Sequence, residues 1–209
     1  AMTTPGIIPL NGAVPAAAYM PHKELARLIK RQVDRGPDAM LYGEPQGLPA
    51  LRSQIAYFLL DAGARVNPDE LIITTGTTAA LHTVLRAVTQ PGDTVVLESP
   101  TFFGYFPLLE SLGLYALELP TDFSTGIDMD SLKQALSRYR IAACILQPSF
   151  SNPTGACFPE EKKSAIARLL ESHHVPLIED DIYANLPHSG HRPSSLMAHD
   201  TTGNVIQVS

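Results

Sequence analysis

Ala142-Ala143-Cys144-Ile145-Leu146-Gln147 is a short apolar run, and Pro148-Ser149-Phe150-Ser151-Asn152-Pro153-Thr154-Gly155 follows it as a polar, turn-forming loop. A short apolar run bounded by such a loop reads as a buried strand. A helical pattern over 159–173 comes next. Pro159, Glu160 and Glu161 suit its first turn, where the dipole favours negative charge. A second strand-like run, Pro176–Asp180, completes the unit. Strand, helix, strand is the crossover unit of a parallel sheet.

The alternation continues on both sides. Leu71–Thr75, Thr94–Glu98 and Tyr115–Leu119 read as strands before this unit, and Val205–Val208 as one after it. Helical patterns cover 77–89, 103–112 and 128–139, with Asp128 placed to cap the last. The expected fold is α/β, with three layers α/β/α and a mainly parallel sheet covered on both faces. Upstream, 22–35 patterns as a helix that Gly36-Pro37 stops, and Pro49 opens another carrying Leu51, Ile55, Phe58 and Leu59. Residues 1–21 hold Pro5, Pro9, Pro15 and Pro21 and read as an arm or linker, leaving 22–209 as the folded part.

Composition removes several classes. With 209 residues the chain can bury a substantial core. A net charge of -6 argues against a nucleic-acid surface, which needs clustered Lys and Arg. No apolar run is long enough for a membrane span, and the start lacks a signal-peptide pattern. Two cysteines, Cys144 and Cys157, make no disulfide framework and suit the reducing cytoplasm. Among apolar neighbours, Cys144 reads as a buried thiol.

Polar groups gather where strands end, the place where ligands sit in such sheets. Thr75-Gly76-Thr77 joins a strand to a helix, so free N–H groups, the helix dipole and two hydroxyls could hold a phosphate. The plain alternative is a capped helix. Glu98-Ser99-Pro100-Thr101-Phe102-Phe103 places aromatics where one could stack on a flat heterocycle, or simply fill the core. Asn152 could donate to a phenolate oxygen, though Asn152-Pro153-Thr154-Gly155 would also make a turn. Asp180 could hold a proton on a pyridine nitrogen, and Tyr183 could share the phenolate oxygen with Asn152. Glu179-Asp180-Asp181 could instead be a solvated acidic turn or a magnesium site, although no partner ligand has the right spacing. His188 and His191 lack further converging ligands, so no metal is expected. Taken jointly, the set suits a phosphorylated pyridine, pyridoxal 5′-phosphate.

At these residues the chain resembles the aspartate-aminotransferase-fold (fold type I) enzymes that use pyridoxal phosphate. The nearer likeness is to the C-terminal aminotransferase-like domain of MocR-type regulators of the GntR family. Three segments carry it: Tyr42-Gly43-Glu44-Pro45-Gln46-Gly47-Leu48-Pro49-Ala50-Leu51-Arg52, the loop Gln147–Gly155, and Ile178-Glu179-Asp180-Asp181-Ile182-Tyr183. The resemblance implies that Thr75, Gly76 and Thr77 hold the phosphate and that Phe102 is the stacking ring. It implies that Asn152 and Tyr183 bind the phenolate oxygen, Asp180 the ring nitrogen, and Tyr42 the phosphate of the other subunit in a homodimer. In such regulators DNA is bound by a separate winged helix-turn-helix domain, which this stretch does not contain.

The resemblance also implies what the stretch lacks. The family's Schiff-base lysine follows a strand like Val205–Val208, so it is expected beyond Ser209, together with the substrate arginine and a small domain. No catalytic residue is therefore expected in this chain. Lys23, Lys30, Lys133, Lys162 and Lys163 all read as solvated helix faces. The chain is expected to be a fragment, truncated before the last strand of its sheet. That strand would lie between Leu71–Thr75 and Val205–Val208, and its absence would leave both with open edges. The rival functions are the large domain of a free-standing amino acid aminotransferase and a catalytically dead interaction module. A nucleotide-binding doubly wound domain is the weakest rival, because no G-x-G-x-x-G follows the first strand.

Overall fold

The computed structural model describes residues 15–188 and 190–209. It divides into two units, Ala1–Gly43 and Glu44–Ser209. In the first unit, a short 3-10 turn at Ala17–Tyr19 precedes helix α1, His22–Val33. Leu25, Ile29 and Val33 of α1 are exposed. Of the expected arm at 1–21, residues 1–14 lie outside the described residues.

The second unit opens with helix α2, Pro49–Leu59, whose first turn Pro49 occupies. Next come α3 (Thr77–Val88), β1 (Thr94–Ser99), α4 (Tyr105–Ser111) and β2 (Tyr115–Asp122). They are followed by β3 (Gly126–Ile127), α5 (Met129–Arg138), β4 (Ile141–Leu146), α6 (Glu160–Ser172), β5 (Leu177–Asp180) and β6 (Val205–Val208). As its position suggested, Asp128 caps α5 by accepting the Ser131 N–H at 2.7 Å.

The six strands run in the order β3-β2-β1-β4-β5-β6. All neighbours are parallel except β2 and β3. Alternation along each strand sends side chains to opposite faces and builds two cores. Val95, Leu97, Ala143, Ile145, Ile178 and Val208 pack with Leu81 and Leu85 of α3 and Leu109 of α4. On the other face Val96, Cys144, Leu146 and Leu177 pack with Leu132 of α5 and Ile166 of α6. Burial in the second core pushes the Cys144 thiol well above its ordinary range. The chain leaves β1 for β2 on one side and returns to β4 on the other. The strand order thus reverses between β1 and β4, which opens a crevice beyond their carboxyl ends.

Two expectations need correction, and one element was unforeseen. Leu71–Thr75 is not a strand. The Ile73 N–H goes to the Gln46 carbonyl at 2.9 Å, and no ladder joins this segment to the sheet. A strand needs a neighbour to take its backbone groups, and this segment is tied to a turn instead. Lys163 is not a solvated lysine. It is fully buried, with its Nζ 2.7 Å from the Ser194 carbonyl and 3.0 Å from Glu160 Oε1. Lys162 is half-buried and lies 5.6 Å from the Phe158 ring centroid. Both sit on the side of α6 that faces the sheet and the 190s loop, where periodicity alone could not separate a stem lying on apolar surface from a freely solvated one. The unforeseen element is β3, which no periodicity announced because it is only two residues long.

Gly126 in β3 has φ +80, and a Cβ there would lie 1.7 Å from Cε1 of the buried Phe158 ring. Gly126→Ala is therefore expected to destabilise the fold by about 2–3 kcal/mol, read as a lower urea midpoint with an unchanged slope.

Candidate functional site

The crevice is built from three strand ends. β5 ends on Asp180, which is only 3% exposed. Tyr105, in the first turn of α4, reaches across and donates its hydroxyl to Asp180 Oδ2 at 2.6 Å. The Ile182 N–H donates to Oδ1 at 3.2 Å. Burial is the main influence on Asp180 and raises its pKa, while the Tyr105 hydroxyl, the Ile182 amide and the Gln147 side chain pull it back. The same burial, with the negative carboxylate beside it, lifts the Tyr105 phenol well above its ordinary value, so it stays a donor. No ion pair among the described residues includes Asp180.

Phe102 follows β1, and its ring meets Tyr105 edge-on at 5.4 Å between centroids and 89° between planes. It is half-buried, so part of the ring stays open. Tyr183 lies near enough to Tyr105 to influence its ionisation. Asn152 follows β4, and its backbone N–H is held by Gln147 Oε1 at 2.5 Å. The peptide bonds Ser99-Pro100 and Asn152-Pro153, in the loops after β1 and β4, are both cis.

The loop carrying Asn152 is tightly tied. Ser151 N–H donates to the Ala156 carbonyl at 3.0 Å, Gly155 N–H to Ser151 at 2.6 Å, and Phe158 N–H to Pro148 at 2.8 Å. These bonds hold Phe150 at φ 58, a left-handed conformation that costs a bulky residue about 1–3 kcal/mol.

Thr75, Gly76 and Thr77 lie at the start of α3, with Gly76 at the N-cap position and φ 110. No side chain caps this helix, so its first-turn amides are not taken up by one. Leu81 and Leu85, further along α3, share a core with Tyr105. Tyr42 belongs to the first unit and is fully exposed. The structure thus brings Phe102, Asn152, Asp180 and Tyr183 around Tyr105 and Gln147. It sets the Thr75–Thr77 segment on the helix packed beside them.

The acidic run is not a solvated turn. Glu179 is fully buried and points to the opposite face, where it accepts from the Ser195 hydroxyl and from the Leu196 N–H at 2.9 Å. Burial lifts its carboxyl to about 7. Asp181 is ion-paired with Arg192 and accepts from Gln207 Nε2 at 2.7 Å. Among the described residues no cluster of three or more His, Cys, Asp or Glu is arranged to hold a metal. A surface cleft of about 440 Å³ is lined by Ala56, Tyr57, Leu60, Arg65, Val66 and Asn67 and includes none of these groups.

Sequence reasoning missed Tyr105, Gln147 and Glu98. A polar residue closing an apolar strand was the available signal for the last two, and nothing in the spacing marked Tyr105. Glu98, at the end of β1, accepts the Gln147 N–H on Oε2 at 2.8 Å, while its Oε1 is buried without a partner. Burial pushes this carboxyl up to about 7.

Among protein families, the model for aminotransferase class I and II matches residues 14–207. Two Escherichia coli K12 proteins, each named an uncharacterized HTH-type transcriptional regulator, are similar over almost the whole chain. YjiR is 35% identical over 97% of this chain and 43% of its own length. YdcR is 37% identical over 98% of this chain and 44% of its own length. The 2-aminoadipate transaminase of Thermus thermophilus is 31% identical over 87% of this chain and 45% of its own length. Among solved structures, LysN from the same organism, an alpha-aminoadipate aminotransferase complexed with N-(5′-phosphopyridoxyl)-L-leucine, superimposes with a TM-score of 0.82. That match is 30% identical and covers 90% of this chain and 47% of the other. The chain spans less than half the length of each of these relatives.

The buried acid Glu98 gives the unit a stability signature. Below pH 4.5, its ordinary value, it is protonated whether the chain is folded or not. Between there and about 7 only the unfolded chain ionises freely, so stability falls as pH rises through that window. Glu98→Gln is expected to be more stable than the parent by about 1–2 kcal/mol above this window, with the gain vanishing below it. Urea midpoints on either side of the window measure this.

Proposed function

The chain belongs to the aminotransferase class I and II family, and on that premise we propose that residues 22–209 form part of a pyridoxal-phosphate-binding, effector-sensing domain of a GntR/MocR-type transcriptional regulator. Pyridoxal phosphate is the cofactor that the family implies. Bound, it supplies an electron sink for negative charge developing at an amino acid's α-carbon.

The residues present fit this group, and one observation carries the fit. Asp180 is a nearly dry carboxylate that receives hydrogen bonds, and among the described residues no ion pair includes it. A buried charge of this kind is stabilised by an opposite charge, and a protonated ring nitrogen is one. In this reading Asp180 keeps the proton on that nitrogen. Phe102 offers a ring face for stacking, and Asn152 and Tyr183 hold the phenolate oxygen. Thr75, Gly76 and Thr77 hold the phosphate with the uncapped first turn of α3. Tyr42 serves the phosphate of the other subunit in a homodimer.

The regulator reading is supported by YjiR and YdcR, whose similarity runs over almost all of this chain. DNA contact would belong to a separate domain of the whole protein, and the effector would be an amino acid or its adduct with the cofactor. The cytoplasm is the compartment proposed for it. No helix of the described residues is long and apolar enough to cross a membrane. The alternative is a free-standing aminotransferase converting an amino acid to a 2-oxo acid, and the likeness to LysN favours it. In either case, catalysis would draw on parts of the protein outside this chain.

Calorimetric titration with pyridoxamine 5′-phosphate, which needs no lysine for attachment, tests the cofactor reading. The 209-residue chain is expected to bind it. Asp180→Asn is expected to weaken binding by about tenfold or more, since a charge-assisted bond becomes a neutral one. Failure of the parent chain to bind, or equal affinity in the variant, would refute the reading.

A further inference from the structure

Arg52 stands near the start of α2 and is 3% exposed. Its guanidinium fans out to acceptors on two loops. Nε donates to the Gly47 carbonyl at 3.3 Å, and Nη2 to Glu44 Oε2 at 2.8 Å. Nη1 donates to the Pro68 carbonyl at 2.8 Å and to Asp69 Oδ1 at 3.1 Å. A planar fork with five donors can join two loops in this way, whereas an ammonium has no such fixed geometry. One loop precedes α2. The other is the 3-10 turn Pro68–Glu70, from which the chain runs directly through Leu71–Thr75 to the start of α3.

Residues 72–75 have little else to hold them. They join no sheet, and Ile72, Thr74 and Thr75 are exposed. Among the described residues, the bond from the Ile73 N–H to the Gln46 carbonyl is the one backbone–backbone hydrogen bond of 72–75. Gly47, next to Gln46, lies against the same residue. It has φ +97, and a Cβ there would be 2.5 Å from Ile73 Cγ1. Gln46 also donates from Nε2 to the Asp69 carbonyl at 3.4 Å. Ile73 thus rests on the loop that Arg52 holds, two residues before Thr75.

We infer that Arg52 is a positioning residue for the phosphate end of the cofactor. The inference rests on the cofactor reading above, in which Thr75, Gly76 and Thr77 hold that phosphate. Arg52 fixes the segment leading to them in two places, at its origin through Pro68 and Asp69 and at its support through Gly47. Amides and hydroxyls that share one phosphate must converge on it, and a misplacement of about 1 Å can cost a hundredfold. The groups proposed for the ring end, Asp180 and Asn152, share no hydrogen bond with Arg52 among the described residues.

Removing the guanidinium strands no buried charge, because the Glu44 and Asp69 side chains are 56% and 81% exposed. Arg52→Met keeps the stem and loses all four bonds. Gly47→Ala leaves the guanidinium in place and displaces Ile73 from the other side.

Affinities for pyridoxamine 5′-phosphate and for pyridoxamine, which lacks the phosphate, are measured by calorimetric titration for the parent chain and both variants. Circular dichroism checks the fold. The parent is expected to prefer the phosphorylated ligand. Arg52→Met is expected to bind that ligand about 10-fold or more weakly while binding pyridoxamine as the parent does, so the preference narrows. Gly47→Ala is expected to narrow it likewise. Hydrogen exchange gives a reading without ligand. In Arg52→Met the Ile73 amide is expected to exchange about 10-fold or more faster, with the amides of β4 and β5 unchanged. A folded Arg52→Met that keeps the parent's preference, loses both ligands in parallel or keeps the parent's exchange at Ile73 would overturn the inference. If only Gly47→Ala folds, its ligand preference decides by the same rule. If neither folds, the role is structural and the inference falls. A parent chain that binds neither ligand sinks the cofactor reading first. One that binds both equally has no phosphate cradle, and that assignment falls together with this inference. Binding of pyridoxamine 5′-phosphate that Asp180→Asn weakens but Arg52→Met leaves alone sinks only this inference.

Discussion

A carboxylate removed from water must be matched, and the end of β5 is organised around that need. Asp180 is nearly dry, and its neighbours supply hydrogen bonds without supplying charge. Tyr105 can reach it only because α4 starts where the chain leaves β1, and β5 lies one strand beyond β4. The strand order therefore decides which side chains meet. Were β1 on the far side of β2, Tyr105 and Asp180 would lie apart and the acid would lose that donor. Burial raises the pKa of Asp180 despite the Tyr105 and Ile182 donors, so a cation placed against it would be stabilising.

The period of two along a strand then separates chemistry from scaffolding. Asp180 faces the α3/α4 side with Ile178, while Glu179 faces the α5/α6 side with Leu177. Glu179 is spent on the chain, fixing the turn at Leu196–His199 through the Ser195 hydroxyl and two backbone amides. Asp181 is likewise taken by Arg192 and Gln207. Of the three consecutive acids, only Asp181 is ion-paired among the described residues; Glu179 and Asp180 are met by neutral donors, and of these two it is Asp180 that faces the α3/α4 side. A single-residue slip in β5 would exchange these roles.

Much of this was legible in the sequence, for reasons that differ by element. The helices α3, α5 and α6 and the parallel strands β1, β4 and β5 carry strong periodicity and clear breakers, so they fell within a residue or two of their expected places. Leu71–Thr75 misled because an apolar β-branched run also suits an extended segment held by one turn. Lys163 misled because helical spacing does not reveal the Ser194 carbonyl, more than thirty residues away, that receives its Nζ. Asp180 and Asn152 could be picked out by residue type at strand ends. Tyr105 and Gln147 could not, since their roles come from distances that only the strand order sets.

The two borders of the sheet are unequal. On one side β3 is two residues long and begins with a glycine, too short to template another strand. On the other, β6 offers four residues whose outer backbone groups find no ladder among the described residues. β3 meets only Thr121 and Asp122, so the outer side of β2 over Tyr115–Leu119 has no ladder among the described residues either. An added strand, whether from elsewhere in a longer polypeptide or from a neighbouring molecule in a concentrated sample, therefore meets an adhesive margin at each border: the part of β2 that β3 leaves bare, and the whole of β6.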